Sequence, residues 1–210
     1  MSTATRRQRH RDELAALILE GARRVFEREG HDKLSIRKVA REIDYSPGTI
    51  YLHYKDKDAL LLALHEDAFA RKSQLFGPLM SVTDPRARLE AMGRAYISHA
   101  LSQPSDFHLM FVDDCPMASL RAQNLEWRDG NTAFQMLVQT LRDGIDSGAF
   151  DERIDAEQMA VVLWSLVHGC AMLILSQRLG MLDDASRERA IDGVFEQMNR
   201  LTEPRHAAAG

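Results

Sequence analysis

The chain has 210 residues, of which 45% are hydrophobic and 28% charged, with only 6 prolines and 12 glycines. This composition is typical of a folded globular protein with one large or two small domains, and it excludes collagen-like, fibrous and low-complexity classes. The two cysteines, Cys115 and Cys170, lie far apart in the sequence, which excludes a disulfide framework and a zinc module. The basic N-terminus lacks the apolar core of a signal peptide, so we expect a cytoplasmic protein.

The charge is distributed unevenly, although the formal net charge is only -4. Residues 1–57 contain 13 Lys or Arg against 9 Asp or Glu, whereas the remainder contains 14 against 22. A partner that carries phosphates is therefore expected at the basic end. The longest apolar run, residues 159–175, is too short for a bilayer span and contains Ser165 and His168. It predicts a buried helix and no membrane contact.

Helical periodicity of apolar residues runs along the chain without competing strand alternation, so the expected fold class is all-α with about nine helices. Gly30 ends the first helix, and Asp44 tolerates the left-handed backbone of the turn between the second and third helices. A further helix is predicted after Asp84-Pro85, with Leu89, Met92, Tyr96 and Ile97 inward, and a short segment over 107–112 follows it. The last predicted helices cover about 118–145, 155–179 and 186–201. Helix-capping residues and first-turn prolines are predicted at Ser35, Ser46, Pro47, Asp56, Asp84, Pro85 and Asp155.

A domain boundary is expected near the start of the fourth helix. Residues 1–57 are predicted to form a three-helix domain with a basic N-terminal arm, and residues 58–204 a larger acidic and Met-rich helical domain. Residues 205–210 are expected to form a disordered tail. The two predicted domains are therefore expected to have different functions.

The second and third helices have the spacing of a helix-turn-helix, in which the second helix enters the major groove of DNA. Small residues at its start allow the backbone to approach base edges, and Leu52 is placed to touch a thymine methyl. Arg37 is the best candidate for a bidentate contact. In the alternative reading, Tyr51 is a core residue and the basic runs are solvated faces or a disordered arm. The candidate DNA-contacting residues are Ser35, Arg37, Pro47, Gly48, Thr49, Tyr51, Leu52, His53 and Lys57.

Residues 34–40 (LSIRKVA) and 46–62 (SPGTIYLHYKDKDALLL) resemble the DNA-binding domain of TetR-type bacterial regulators, over about residues 12–62. The resemblance implies a homodimer on a palindromic operator, with phosphate contacts from Thr49, Tyr51, His53 and Lys57, and groove-facing roles for Arg37, Pro47, Gly48 and Leu52. Two residues depart from the pattern: Asp44 where glycine is usual, and Tyr54 where phenylalanine is commoner. They bear on the angle at which the third helix meets the groove.

Methionine and aromatic residues recur at helical spacing in the larger domain, and such soft or flat side chains line adaptable apolar cavities. Packing in an ordinary core is the alternative for each of them, and for His168 a hydrogen-bonded core position. The candidate ligand-pocket residues are Met92, Tyr96, Phe107, Phe111, Trp127, Phe134, Trp164 and His168.

Ser165 and Gly169 form a small-residue pair, four positions apart, that lets another helix come close. Residues 145–175 resemble the ligand-binding and dimerisation domain of TetR-type regulators with a Trp…His-Gly signature. The resemblance implies that the helix with Ser165 and Gly169 and the last helix, 186–201, pair with the same two helices of a second copy in a four-helix bundle. The candidate interface residues are Ser165, Gly169, Met172, Val194 and Met198.

Together these features predict a ligand-responsive transcriptional repressor: a homodimer that binds double-stranded operator DNA, is released by a small apolar or amphipathic effector, and uses no cofactor. No metal is expected, because the spacings of His99, His108 and Cys115 match no metal motif. An enzyme is the second hypothesis, weakened because the chain has no Gly-rich phosphate loop, G-x-S-x-G, H-E-x-x-H or C-x-x-C motif. The third is a co-regulator of the same fold that acts through protein contacts and would lack the phosphate-contacting residues.

Overall fold

The structure, a computed structural model, describes residues 3–112, Pro116, Ala118 and residues 128–204. Within these residues the chain forms nine α-helices, one 3-10 helix and no strand, which confirms the predicted all-α class for the described part. The α-helices are α1 (Thr3–Glu29), α2 (Ile36–Glu42), α3 (Pro47–Tyr51), α4 (Lys57–Phe76), α5 (Pro85–Ser102), α6 (Pro104–Phe111), α7 (Arg128–Asp146), α8 (Ala156–Leu175) and α9 (Asp184–Thr202). The 3-10 helix, Gly77–Ser81, follows α4.

Side-chain caps begin the helices where the sequence predicts them. The Ser35 hydroxyl accepts the Lys38 backbone N–H at 3.3 Å, and the Ser46 hydroxyl accepts the Thr49 N–H at 3.2 Å. Each cap satisfies an N–H group that the first turn of a helix leaves without an intrahelical acceptor. The same type of contact, at 2.8 to 3.0 Å, begins α4, α5 and α8 at Asp56, Asp84 and Asp155.

Asp44 ends α2 with a left-handed backbone, φ +57°. The Tyr45 N–H donates to the Ala40 carbonyl at 2.9 Å and the Asp44 N–H to the Arg41 carbonyl at 3.4 Å, which is the Schellman arrangement of a helix C-terminus. The left-handed conformation predicted at this turn is therefore confirmed.

Two substitutions at Asp44 are expected to change stability in opposite directions. Asp44→Gly should leave the free energy of unfolding unchanged or raise it by up to about 1 kcal/mol, because glycine has no Cβ to clash at positive φ. Asp44→Val should lower it by about 1–2 kcal/mol. Urea unfolding followed by circular dichroism measures both. A valine variant as stable as the unmodified protein would contradict the assigned turn.

The end of α8 and the start of α1 differ from the predicted helix boundaries. α8 ends at Leu175 rather than near residue 179, because Gln177 takes φ +56° and the Arg178 N–H donates back to the Leu173 carbonyl at 2.9 Å. α1 begins at Thr3, so the basic residues expected in an arm lie exposed along this helix. For the helix predicted over 118–145, the described part is α7; residues 119–127 lie outside the described residues, as does the predicted tail.

Packing divides the chain into an N-terminal unit, Met1–Phe69 with Ser105–Trp127, and a C-terminal unit, Ala70–Pro104 with Arg128–Gly210. This division differs from the expected boundary after residue 57, since the first part of α4 and all of α6 except Pro104 belong with α1 to α3. The core of the N-terminal unit includes Ile18, Val25, Phe26, Leu34, Val39, Ile50, Leu60, Leu61 and Leu109.

In the C-terminal unit, α5 packs against α7, α8 and α9. Gly93 allows α9 to approach α5 closely, since a Cβ there would lie 2.8 Å from Phe195 Cε1. Gly144 allows a close contact at the turn after α7. Because it has no side chain, the ring of Phe150, which is 1% exposed, fits against it.

By length and composition alone, α8 is apolar enough to cross a membrane. In the structure it packs against α5, α7 and α9. The prediction of a buried helix is correct for one side only, because Val161, Val162 and Leu173 remain 44 to 50% exposed on another side.

Candidate nucleic-acid interface and a buried polar cluster

Most of α3 faces outward. Ile50 alone in this five-residue helix is buried, at 0% exposure, and it anchors the helix to the core. Tyr51 and Leu52 are 56% and 76% exposed, and Pro47 and Gly48 are also exposed. The reading of Tyr51 as a core residue is therefore wrong. An exposed aromatic ring beside an exposed aliphatic side chain is typical of an interaction surface.

The polar residues predicted on this surface also have contacts within the unit. The hydroxyl groups of Thr49 and Ser46 lie 3.0 Å apart, so part of the hydrogen-bonding capacity of Thr49 serves the cap. Lys57 Nζ donates to the carbonyl of His31 at 2.8 Å, which holds the start of α4 to the loop before α2 and leaves two of its three N–H groups for another acceptor. Ser35 and His53 are partly exposed.

Several basic side chains near α2 are held in ion pairs within the unit. Glu42 accepts from Arg24 and Arg28, both at 3.0 Å, and these hydrogen bonds lower the pKa of the Glu42 carboxyl. Lys38 pairs with Glu29, whose pKa is lowered chiefly by this hydrogen bond. These cations are partly neutralised and so contribute less to an anion-binding surface.

Other basic side chains are exposed, so their charge can attract an anionic partner. Lys33, Arg37 and Arg41 are exposed and form no ion pair with any residue that the structure describes. Arg37 is among the DNA-contacting residues predicted from the sequence. Lys33, Arg41 and Tyr45, whose ring is 41% exposed at the turn, are not among them. The spacing of Arg37 and Arg41, one helical turn apart on α2, is a signal that indicates a shared face.

A polar cluster of Lys72, Tyr96, Trp164 and His168, here named the Tyr96 cluster, lies in the C-terminal unit. Trp164 Nε1 donates to the Tyr96 hydroxyl oxygen at 3.2 Å, and the same oxygen lies 2.9 Å from His168 Nδ1. A hydrogen bond thus links Tyr96 to His168, and the tautomer of the imidazole sets which of the two groups is the donor. Lys72, only 4% exposed, places Nζ 4.1 Å from the centroid of the Tyr96 ring.

Burial sets the charge state of this cluster. It lowers the pKa of Lys72 to about 7 and raises the pKa of the Tyr96 hydroxyl above its ordinary value. Burial and, second, the charge of Lys72 lower the pKa of His168. At neutral pH Tyr96 and His168 are thus uncharged, and Lys72 is the one member whose charge changes near neutrality.

Four of the predicted ligand-pocket residues are brought together in the C-terminal unit. The ring centroid of Phe134 lies 6.4 Å from that of Trp164, beside Tyr96 and His168. Met92 is buried on another part of α5, with its sulfur 3.5 Å from the Thr140 hydroxyl.

The remaining predicted pocket residues do not belong to this group. Phe107 and Phe111 lie on α6 in the N-terminal unit, with ring centroids 4.9 Å apart, and Phe111 packs edge-on against Phe69. Trp127 lies outside the described residues.

Four of the five predicted interface residues lie at least partly on the surface of the C-terminal unit. Ser165 is exposed, and Gly169, Met172 and Val194 are half-buried. Met198 instead is 3% exposed, and its Cε would lie 3.5 Å from a Cβ at Gly93 within the same chain.

Among the described residues, no three His, Cys, Asp or Glu side chains lie close enough together to hold a metal ion. Cys115 lies outside the described residues, and Cys170 is a buried free thiol.

Two family models match this chain. A model described as "Bacterial regulatory proteins, tetR family" matches residues 18–64, and one described as "Tetracyclin repressor-like, C-terminal domain" matches residues 89–198. The second match alone covers more than half of the chain.

Individual relatives agree with the family models. The chain is 48% identical over 56 residues to the HTH-type transcriptional repressor Rv1474c of Mycobacterium tuberculosis, a match that covers 25% of this chain and 30% of that protein. It is 26% identical over 145 residues to the fatty acid metabolism regulator protein of Bacillus subtilis, covering 66% of this chain and 71% of that protein. A solved structure of a Rhodococcus protein of unknown function superposes with a TM-score of 0.73 at 26% identity, covering 90% and 95% of the two chains.

Proposed function

Because this chain belongs to the tetR family of bacterial regulatory proteins, we propose that it is a cytoplasmic, ligand-responsive transcriptional repressor without catalytic activity. The observation that carries the DNA-binding part is the outward face of α3, where Tyr51 and Leu52 are exposed. The neighbouring helix α2 exposes Arg37 and Arg41, which form no ion pair with any described residue. The repressor part is supported by the name of the M. tuberculosis relative, which is similar over the same region.

The proposed repressor is a homodimer on a palindromic operator. α8 carries a partly exposed and mostly apolar stripe, formed by Val161, Val162, Ser165, Gly169, Met172 and Leu173. A Cβ at Gly169 would meet no atom of the protomer within 4 Å, so the surface there is open to a close helix. Met198 is not part of the proposed contact, because it is buried in the protomer. In such a dimer the two α3 helices enter successive major grooves about 34 Å apart.

The effector is proposed to bind the C-terminal unit and to favour a state with a different separation of the two α3 helices. Its effect is bounded by the difference between its affinities for the two states. An amphipathic effector is supported by the aromatic residues around the Tyr96 cluster and by the relative named for fatty acid metabolism.

A co-regulator of the same fold that acts through protein contacts is the alternative. Such a protein has no need for unpaired cations beside an outward-facing α3. The exposed charges of Arg37 and Arg41 therefore favour DNA as the partner.

Arg37→Ala is the variant that tests the proposed DNA contact. The unmodified protein should select a palindromic sequence from a library of random duplexes and bind it with a steep salt dependence. Arg37→Ala should weaken that binding by about 1–3 kcal/mol, a factor of roughly 5–150, and reduce the preference over an unrelated duplex. Fluorescence anisotropy across a salt series measures both.

Arg178→Ala is the matched control, since it removes the same charge from an exposed turn of the C-terminal unit and should leave both values unchanged. Failure of the library to yield any preferred sequence would contradict the proposed function. Equal effects of the two variants would contradict the role given to Arg37.

A further inference from the structure

The first turns of α1 project beyond the core of the N-terminal unit and are strongly basic. Residues 5–13 are all exposed, and the first fully buried residue of the helix is Ile18. The family model also matches only from residue 18 onward, so these turns lie outside the matched region. Residues 6–11, here named the basic segment, include four arginines: Arg6, Arg7, Arg9 and Arg11.

The four arginines of the basic segment do not stabilise the helix that carries them. None of them forms an ion pair with any residue that the structure describes, and the nearby Asp12 carboxylate accepts from Gln8 at 2.8 Å. The first turn of α1 contains no acidic residue. Cations at this end of a helix oppose its macrodipole, and like charges four residues apart repel each other. A polyanionic partner would relieve both unfavourable interactions.

The packing of α1 on α2 gives the direction in which the basic segment extends. Gly21 lies against Ile43 at the C-terminal end of α2, since a Cβ on Gly21 would overlap the Ile43 side chain. Further along α1, Glu29 pairs with Lys38 near the start of α2. The two helices therefore run in roughly opposite directions. The part of α1 before Gly21 extends past the end of α2, where the turn into α3 follows, and reaches about 22 Å from Gly21 at its first arginine.

Two of the arginines continue the face by which α1 packs on its own unit. Arg7 and Arg11 share the three- and four-residue spacing of Leu14, Ile18 and Ala22, so all five lie on one side of the helix. The three apolar residues of this face belong to the core or pack against it. The arginines occupy the same face where the core has ended, on the side of α1 that is turned toward the rest of the unit.

We propose that the basic segment is a second DNA-contacting element, which binds phosphates of the duplex beside the groove that α3 enters, with Arg7 and Arg11 as the main contacts. A guanidinium group can donate two parallel hydrogen bonds to a phosphate, and duplex DNA carries one phosphate charge per about 1.7 Å of its axis. Such contacts add affinity for every sequence and select none. This inference rests on the proposed function, since it adds a contact to the same DNA complex.

The test removes the two charges from a surface that the fold does not use. Arg7→Gln combined with Arg11→Gln keeps good helix formers at both positions. Anisotropy titration at about 0.15 M salt should show at least about tenfold weaker binding to the selected operator and, by the same factor, to an unrelated duplex. The slope of log affinity against log salt should fall by about 2–4, because a dimer loses up to about four phosphate contacts.

Two further pairs of substitutions are the controls. Arg142→Gln with Arg178→Gln removes the same charge from exposed positions of the C-terminal unit and should change neither the affinity nor the slope. Arg7→Lys with Arg11→Lys keeps the charge and should retain most of the slope.

Four results would overturn the proposal. They are unchanged affinity and slope in the glutamine pair at 7 and 11, a loss confined to the operator, which would indicate base contacts, and an equal loss in the control pair, which would indicate an effect of net charge. The fourth is unchanged DNA affinity with loss of binding to phosphatidylserine vesicles, which would assign the segment to a membrane surface. Failure of the unmodified protein to select any sequence overturns the proposed function instead, and the titration on the unrelated duplex still tests the basic segment.

Discussion

Replacing Gly169 with leucine should convert the proposed dimer into a monomer. Gly169 lies in the partly exposed stripe of α8, and a Cβ there meets no atom of its own protomer within 4 Å. The protomer therefore has room for the new side chain, and the helix gains up to about 1 kcal/mol of intrinsic propensity. The leucine occupies instead the space through which a second α8 would approach. Sedimentation velocity should show one species of half the mass.

The same variant should lose most of its affinity for the operator. A dimer engages two half-sites at once, and linking two binding events raises the apparent affinity by about 10²- to 10⁴-fold. Gly169→Leu should therefore weaken operator binding by a factor in this range when measured by anisotropy. Its affinity for a single half-site should remain that of the unmodified chain, because α3 is not altered.

Ser98→Leu provides the control for this experiment. Ser98 is an exposed small residue on α5, so its substitution adds the same apolar side chain to a helix surface outside the stripe. It should leave the mass and the operator affinity unchanged. A Gly169→Leu protein that remains dimeric with full affinity would show that α8 is not the contact surface.

Phe150→Ala should lower the free energy of unfolding by about 3–5 kcal/mol. The ring is 1% exposed and lies over Gly144, and the Phe150 N–H donates to the Gly144 carbonyl at 2.9 Å. The Arg86 guanidinium lies 5.7 Å from the ring centroid and donates to the Ala149 carbonyl at 2.5 Å, so the surrounding groups are held by their own bonds. They cannot collapse into the vacated space, which raises the cost. Urea unfolding followed by circular dichroism measures the change.

Gly144→Ala gives an independent check on the same packing. Helix propensity alone predicts that alanine stabilises by about 1 kcal/mol. Overlap of its Cβ with the Phe150 ring predicts destabilisation by about 1–3 kcal/mol, and we expect this effect to dominate. Gly193→Ala is the matched control, because a Cβ in that part of α9 meets no atom within 4 Å and should stabilise. Equal behaviour of the two alanine variants would contradict the packing described.

Local chemistry explains which parts of the fold could be predicted. Ser35, Ser46 and Asp155 cap helices through their own nearest backbone groups, so their roles can be read from a few neighbouring residues. The end of α8 was missed because Gln177 adopts a left-handed backbone that its residue type does not indicate. In that turn, the Arg178 N–H donates to the Leu173 carbonyl and ends the helix.

In the candidate sites too, features set by neighbouring residues could be predicted, whereas contacts between residues far apart in the sequence could not. The outward face of α3 was predictable, because periodicity places Ile50 inside and its neighbours outside. The burial of Lys72 was not, since a lysine in a helical pattern is counted as polar and the ring of Tyr96 that lies beside its ammonium group comes from α5. The bond from Lys57 to His31 joins residues far apart in the sequence and leaves no signal in either neighbourhood.

The arrangement of α3 has a consequence for how such regulators evolve. Only Ile50 ties this helix to the core, while positions 51 and 52 project into solvent. In the proposed DNA complex, mutations at these outer positions change what the helix presents to the DNA, and surface changes of this kind usually shift the free energy of unfolding by less than about 0.5 kcal/mol. Selection can therefore retarget the protein to a different set of promoters without having to rebuild its fold.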